Sequence, residues 1–312
     1  MITVPADARF LLNVPLKPLQ GARFQPTGFP DLGPATFDRP RGDGTVTMLM
    51  VESPQSVANR LESVCLDPTG ALAAELEGLP YVQVEEDGEP LTNSLQEAHR
   101  LNSPYIEHGV YQGNKNGFHK LLAEEIGYDP KRPFSFQRLA KVIFKYDPNA
   151  LIHGCFLESI AGVLRVPRML SGFIEAENVR SVAYGGVKND RVMPSTKDAN
   201  VSAKEGYGNV PYHREDFAAE SIMAYFNVDL TQLRSYGLGE EAERLLFALS
   251  AWKVRQFLAT GLRLRTACDL GVEDESSVPL PTESELGSAL PALISACREQ
   301  FADPRVTVLQ RG

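Results

Sequence analysis

The sequence predicts an α+β fold, a split βαβ sheet with insertions, and three observations lead there. The apolar run Val46–Val51 stops abruptly at Ser53-Pro54 and gives way to a helical pattern. A second strand–helix pair lies far downstream, between Glu220 and Leu262. Gly-rich excursions interrupt the chain around both pairs.

In order, residues 9–16 read as a first strand. Gly21–Pro34 is dense in Gly and Pro and reads as a shaped loop, neither helix nor strand. Its Arg23, Phe24, Gln25 and Phe29 suit stacking on bases and holding phosphates. The same aromatics equally suit pinning the loop to a core. Ser53 is a good N-cap, and Pro54 a good first helical residue because it lacks the N–H that would be orphaned there. Val57, Leu61 and Val64 recur at helical spacing, so a helix is expected over 54–66. Its free N–H groups make a ready anion site. Its residues also describe an ordinary capped helix with Ser56 and Asn59 on the wet face.

Residues 67–93 read as a turn, a short strand near Tyr81–Val84 and an exposed acidic tip. Phe118–Ile126 and Phe134–Phe144 are amphipathic helices, broken by Gly127 and Asp129-Pro130. Phe156–Leu164 and Met169–Val179 read as strands. Gly185-Gly186 predicts a tight turn from which Lys188 and Arg191 project, and 193–215 a hairpin tip or flap. Glu220–Thr231 is the clearest strand, alternating Ile222, Ala224, Phe226, Val228 and Leu230 with polar neighbours. Glu240, Glu241 and Glu243 then open a long helix to about Leu262, suiting the helix dipole. Arg305–Leu309 reads as a last strand.

The 312 residues suffice for a sizeable core, as one large domain or two small ones. No apolar run approaches the ~20 residues of a membrane span. The start carries no basic-then-apolar leader, so no signal peptide is expected. Cys65, Cys155, Cys268 and Cys297 are scattered without a Cys-x-x-Cys, which reads as reduced cytosolic thiols. The net charge of −9 is segregated. Residues 75–89 hold six acids and no Lys or Arg, and 269–312 hold eight acids against three arginines. With both stretches set aside, the remainder is +2. Residues 131–197 carry eleven Lys/Arg against five acids, and 244–265 five against none. A basic surface is compatible with this pattern, and so is a chain with two solvated acidic edges.

Catalytic and metal signatures are missing. His99, His108, His119, His153 and His213 fall in no zinc spacing, and there is no nucleophile elbow or Walker loop. His153-Gly154 could seat a proton shuttle, and Asp190 could hold a metal. A structural His beside an apolar run and a turn-forming Asp are the commoner uses of such residues. No catalytic residue, metal site or cofactor is assigned.

Several motifs together resemble one family: Phe24-Gln-Pro-Thr-Gly-Phe-Pro30, Glu52-Ser-Pro-Gln-Ser-Val-Ala-Asn-Arg-Leu-Glu62, His153-Gly154, Arg165–Val179, Gly185-Gly-Val-Lys-Asn-Asp190, Tyr225-Phe-Asn-Val-Asp-Leu230 and Leu262-Arg-Leu-Arg-Thr-Ala-Cys268. The chain resembles the backbone subunit of a type I CRISPR effector complex (Cascade), more narrowly the Cas-seven-type protein of subtype I-U, or I-G. The likeness spans roughly residues 9–270. It implies an RRM-like (ferredoxin-like) palm with inserted finger and thumb elements. As a single domain over 1–312, the palm would carry insertions near 67–150 and 180–219 and an acidic C-terminal segment, 269–312. It also implies copies that polymerise along one CRISPR RNA in the cytoplasm and present it for pairing with target DNA, alongside other Cascade subunits, without membrane or catalysis.

On that reading, Ser53, Gln55, Asn59 and Arg60 contact guide phosphates or sugars at the helix start. Arg23 and Gln25 close over the RNA from the Gly/Pro loop. Arg165, Arg168, Lys188 and Arg191 line the groove, with Arg263 and Arg265 as weaker candidates. Arg60 and Arg168 could instead pair with acids inside the fold, and Asn59 could lock the adjacent loop. Two other classes stay open on the residues alone: a cytosolic enzyme with its site around His153 and Asp190, and an acidic protein that binds only proteins.

Overall fold

A computed structural model describes residues 2–29, 32–129, 131–160, 164–189 and 207–312. Strand β1 (Arg9–Pro18) is followed by a loop in which β2 (Gly28–Phe29) and β3 (Gly33–Pro34) pair briefly. The hairpin of β4 (Thr36–Arg41) and β5 (Gly44–Glu52) leads into α1 (Pro54–Ser63). An excursion then holds β6 (Tyr81–Glu86), β7 (Glu89–Asn93), α2 (Pro104–Glu107), β8 (Val110–Tyr111) and β9 (Asn114–Lys115). Helices α3 (Gly117–Ile126), α4 (Phe136–Tyr146) and α5 (Pro148–His153) complete it. Short strands β10 (Cys155–Leu157) and β11 (Leu164–Val166) precede β12 (Leu170–Glu177). A long hairpin, β13 (Arg180–Lys188) and β14 (Val210–Ala218), leads to β15 (Ser221–Asp229). Then come α6 (Leu230–Ser235), α7 (Glu240–Gln256), β16 (Arg263–Arg265), β17 (Cys268–Val272), α8 (Glu283–Ala296) and β18 (Val306–Gln310).

Seven strands form one sheet in the order β16-β17-β1-β15-β12-β5-β4, with every neighbouring pair antiparallel. Alternation gives it two unlike faces. Leu12, Val14 and Leu16 of β1 and Ile222, Ala224, Phe226 and Val228 of β15 are buried. Helix α7 packs on this side, with Phe257 just beyond its end edge-on to Phe226 and its own Phe247 edge-on to Phe10. Helix α1 lies against β12 and α7 and buries Val57, Ala58 and Leu61. Val57 and Leu61 each contribute about 1.5–3 kcal/mol by that burial. On the other face Asn13, Tyr225 and Phe173 stand in one cross-strand row, the two rings stacked at 5.1 Å.

The two acidic stretches meet in a second sheet, ordered β7-β6-β18-β8-β9. Strand β18 runs parallel to β6, and Arg311 pairs with Glu86. Helix α8 has a Thr282/Glu285 capping box and buries Leu286, Leu290, Leu293 and Ile294. The acidic C-terminal segment is therefore folded onto the rest. A buried ion pair, Arg100 to Glu62 at 2.5 and 2.7 Å, fastens the excursion to α1. No helix among the described residues is long and apolar enough to cross a membrane.

Four expectations need correcting. Gly185 and Gly186 form no turn; both lie inside β13. They are glycines because Tyr212 crosses them: a Cβ on Gly186 would sit 2.7 Å from its hydroxyl, and one on Gly185 2.8 Å from its carbonyl oxygen. Residues 156–164 are not one strand, since β10 and β11 pair with each other antiparallel. The long helix stops at Gln256, and a π turn covers Phe257–Gly261. The strand at 220–231 ends at Asp229, whose carboxylate accepts from the Gln232 N–H at 2.8 Å and caps α6.

Candidate nucleic-acid interface

The start of α1 forms as its residues dictate. Ser53 is extended, and its hydroxyl accepts from the Ser56 N–H at 3.3 Å, so one helical donor is already spent. Gln55 and Asn59, four residues apart, are exposed on one side of the helix. Arg60 turns inward. Its Nε donates to Glu52 at 3.4 Å and its Nη2 to the Leu264 carbonyl at 2.7 Å. Glu52 is buried and also accepts from Thr27. Arg265 reaches the Pro26 carbonyl at 2.6 Å, and the Gln25 N–H donates to Ala267. Arg168 lies 3.4 Å from the Pro54 carbonyl. This corner ties the Gly/Pro loop, α1 and the β16–β17 turn together. Phe24 belongs to the tie: it is buried and exchanges backbone hydrogen bonds with Phe217. It pins the loop and offers no face to a base.

A second corner lies at the root of the β13–β14 hairpin. The end of β1, the loop at Gly21–Arg23, the hairpin and the β16–β17 turn surround an open cleft of about 780 Å³. Asp216, Tyr184, Arg23, Arg263 and Thr266 line it. The Arg23 guanidinium lies 4.2 Å from the centre of the Tyr184 ring and 3.7 Å from the Asp216 carboxylate. Asp216 is 2% exposed, and among the described residues its Oδ1 has no hydrogen-bond partner.

Register carries this chemistry outward. Val182 pairs with Asp216, Tyr184 with Arg214, Gly186 with Tyr212 and Lys188 with Val210. Directly opposed residues share a face, and so do residues two apart. Asp216, Tyr184, Arg214, Tyr212 and Lys188 therefore stand on one face of the hairpin. Arg214 lies 6.0 Å over the Tyr212 ring. The stripe alternates aromatic and basic groups from the cleft towards the far end of the described hairpin. Tyr184, Arg214, Tyr212 and Asp216 were not candidates from sequence. Only the pairing of two strands over twenty residues apart places them together.

The other expected residues scatter. Arg165 is exposed on β11, its guanidinium 4.7 Å over Phe156. Arg191 and Asp190 lie outside the described residues. His153 is fully buried, its Nε2 hydrogen-bonded at 2.9 Å to the equally buried Lys253. Burial, with Lys253 close by, holds the imidazole neutral, well below its ordinary range. All four cysteines are free and buried, and burial raises each thiol, Cys155 and Cys268 to about 12.

No curated protein is similar enough in sequence to match. Solved structures that superpose include a CRISPR RNA-guided surveillance complex, pre-nicking, at 12% identity, covering 93% of this chain and 88% of that one, TM-score 0.36. Csc2 of Thermofilum pendens superposes at 10% identity, covering 94% and 81%, TM-score 0.31. At those TM-scores neither carries the assignment. The family model for CRISPR-associated protein GSU0053 does, because it matches residues 10–181, more than half of the sequence. As the resemblance anticipated, the chain belongs to the GSU0053 family of CRISPR-associated proteins, of the Cas-seven type.

Proposed function

We propose that the chain is the guide-RNA-binding backbone subunit of a type I CRISPR effector complex in the cytoplasm. The observation that carries this reading is the aromatic–basic face of the β13–β14 hairpin, running out of the Arg23 cleft. Alternating rings and cations suit a single strand held without regard to sequence: cations meet phosphates, and rings accept any base. Membership in a CRISPR-associated family supports RNA as the ligand.

In this reading the sheet is an RRM-like palm within a single domain. Its β17-β1-β15-β12 portion, with α1 and α7 on one side, has the strand order of a split βαβ unit, which supports that identification. The β13–β14 hairpin is the thumb, and the excursion after α1 the finger region. Ser53, Gln55 and Asn59 meet the guide at the helix start, while Arg23, Arg165 and Lys188 meet it elsewhere in the groove. Arg60 and Arg168, together with Gln25, shape that corner from within. Copies polymerise along the guide and leave its bases free to pair with target DNA, so the subunit binds without catalysing.

Binding of a single-stranded RNA to the purified chain over a salt series tests this. The affinity is expected to fall steeply as salt rises. The double variant Tyr184→Ala, Arg214→Ala is expected to lose at least about tenfold at low salt. A wild-type chain that ignores RNA at every salt concentration would end the reading.

A further inference from the structure

We propose that the cleft at the hairpin root recognises ribose: the Asp216 carboxylate accepts a hydrogen bond from a 2′-hydroxyl of the bound strand, and so distinguishes RNA from DNA. The proposal rests on the RNA-binding reading and adds a specificity residue to it.

The argument starts from an unfilled valence. A buried carboxylate oxygen without a donor is costly, and folded proteins rarely leave one. Asp216 is in that position. Among the described residues its Oδ1 has no partner, and the cation paired with it, Arg23, stands at 3.7 Å, beyond a hydrogen bond. The buried carboxylates Glu62 and Glu52 are supplied fully, by two donors from Arg100 and by Thr27 and Arg60, while Asp147, whose Oδ2 is also unpartnered, is 0% exposed in the core. Asp216 differs from them in lining an open cleft.

The chemistry of the missing donor follows. An ionised carboxylate only accepts. A phosphodiester has no hydrogen to give. Base N–H groups differ from base to base, and a guide-binding surface has to take any sequence. The 2′-hydroxyl is the donor that every internal ribonucleotide offers and that DNA lacks.

Arg23 is the cover of this site. Its side chain is 52% exposed and is held by the Tyr184 ring and a loose ion pair. It can swing towards a phosphate and expose the carboxylate beneath it. Arg263, also on the cleft wall, offsets repulsion between Asp216 and the backbone. Two arginines at this wall disfavour a metal cation as the alternative occupant.

The test compares a single-stranded RNA with an all-2′-deoxy strand of the same sequence, uracil in both, on the full chain and on Asp216→Ala and Asp216→Asn. Wild type is expected to prefer RNA by about tenfold or more, the worth of a hydrogen bond to a charged group. Asp216→Ala should bring the ratio close to one by losing RNA affinity alone. Asp216→Asn keeps an acceptor of the same shape and should give an intermediate ratio. Should Asp216→Ala fail to fold, the isosteric variant decides, and a ratio unchanged in it overturns the proposal. Two further results overturn it: equal wild-type affinity for both strands, or variants that weaken both in the same proportion, which would make Asp216 a prop for Arg23. Failure of wild type to bind either strand removes the RNA-binding reading as well, whereas RNA binding without discrimination removes the ribose site alone.

Discussion

The start of α1 and the root of the β13–β14 hairpin each gather arginines near a buried carboxylate, and they use them differently. At α1, Glu52 is 1% exposed and has two donors, while Arg60 and Arg265 spend their N–H groups on carbonyls of neighbouring segments. At the hairpin, Asp216 is equally buried yet keeps an oxygen unpartnered among the described residues, and Arg23 is half in solvent. Counting cations does not separate the two corners. Satisfaction does: a filled network holds segments together, and an unfilled one lining a cleft has capacity for a ligand. On this comparison, changes beneath α1 should show first in stability and changes at the hairpin root first in binding.

The largest effect should come from Glu62. It sits on the buried side of α1 and holds Arg100 through two hydrogen bonds. Glu62→Ala leaves a buried guanidinium without its charge partner, which costs about 3–5 kcal/mol. Urea unfolding measures it. A loss under about 1 kcal/mol would show that Arg100 finds other partners and that α1 is a looser scaffold than the geometry indicates.

Next in size is a pH response under the same corner. Burial pushes the Asp147 carboxyl up from 3.8 to about 6. Between those values the folded chain holds a proton that the unfolded chain has released. The contribution of Asp147 to stability therefore falls as pH rises through that window and is level above it. His153 acts in the opposite sense: buried and neutral, it contributes stability that is lost as pH drops below 6.5. Asp147→Asn removes only the first contribution. The variant should exceed wild type by up to about 3 kcal/mol above pH 6, with the gap closing towards pH 4. Urea midpoints across that range check it, and a gap independent of pH would refute the assignment. The hairpin variants should share the wild-type profile.

The same contrast marks what was legible in the sequence. The Ser53-Pro54 cap, the alternation of Ile222 to Val228 and the amphipathic helices were readable because each is set by residues within a few positions. The family was readable from motifs along the chain. The Gly185-Gly186 turn was misread because the reason for those glycines, Tyr212, lies across the hairpin. Asp216 gave no sign, since Glu215 beside it has the same charge and only register assigns one to the cleft and the other to solvent. Arg60 stayed open in the sequence between a guide contact and an internal ion pair, because its partners, Glu52 and the Leu264 carbonyl, are fixed by tertiary structure.

The smallest effects give the sharpest test, because they cross. Arg60→Ala strips a buried carboxylate of its charge partner and frees a carbonyl, so it should cost about 1–3 kcal/mol of stability. Its RNA affinity, measured on the folded fraction, should change less than about threefold, as the guanidinium is mostly committed inward. Arg23→Ala should do the reverse. An ion pair of 3.7 Å with a half-exposed arginine is worth under about 1 kcal/mol, so the urea midpoint should barely move. RNA affinity should fall by about tenfold at low salt and by less at high salt, because one fewer phosphate contact flattens the salt dependence. If Arg60→Ala keeps its midpoint and loses RNA as far as Arg23→Ala does, the helix start is itself the contact surface, and a filled hydrogen-bond network is no guide to scaffold in this fold.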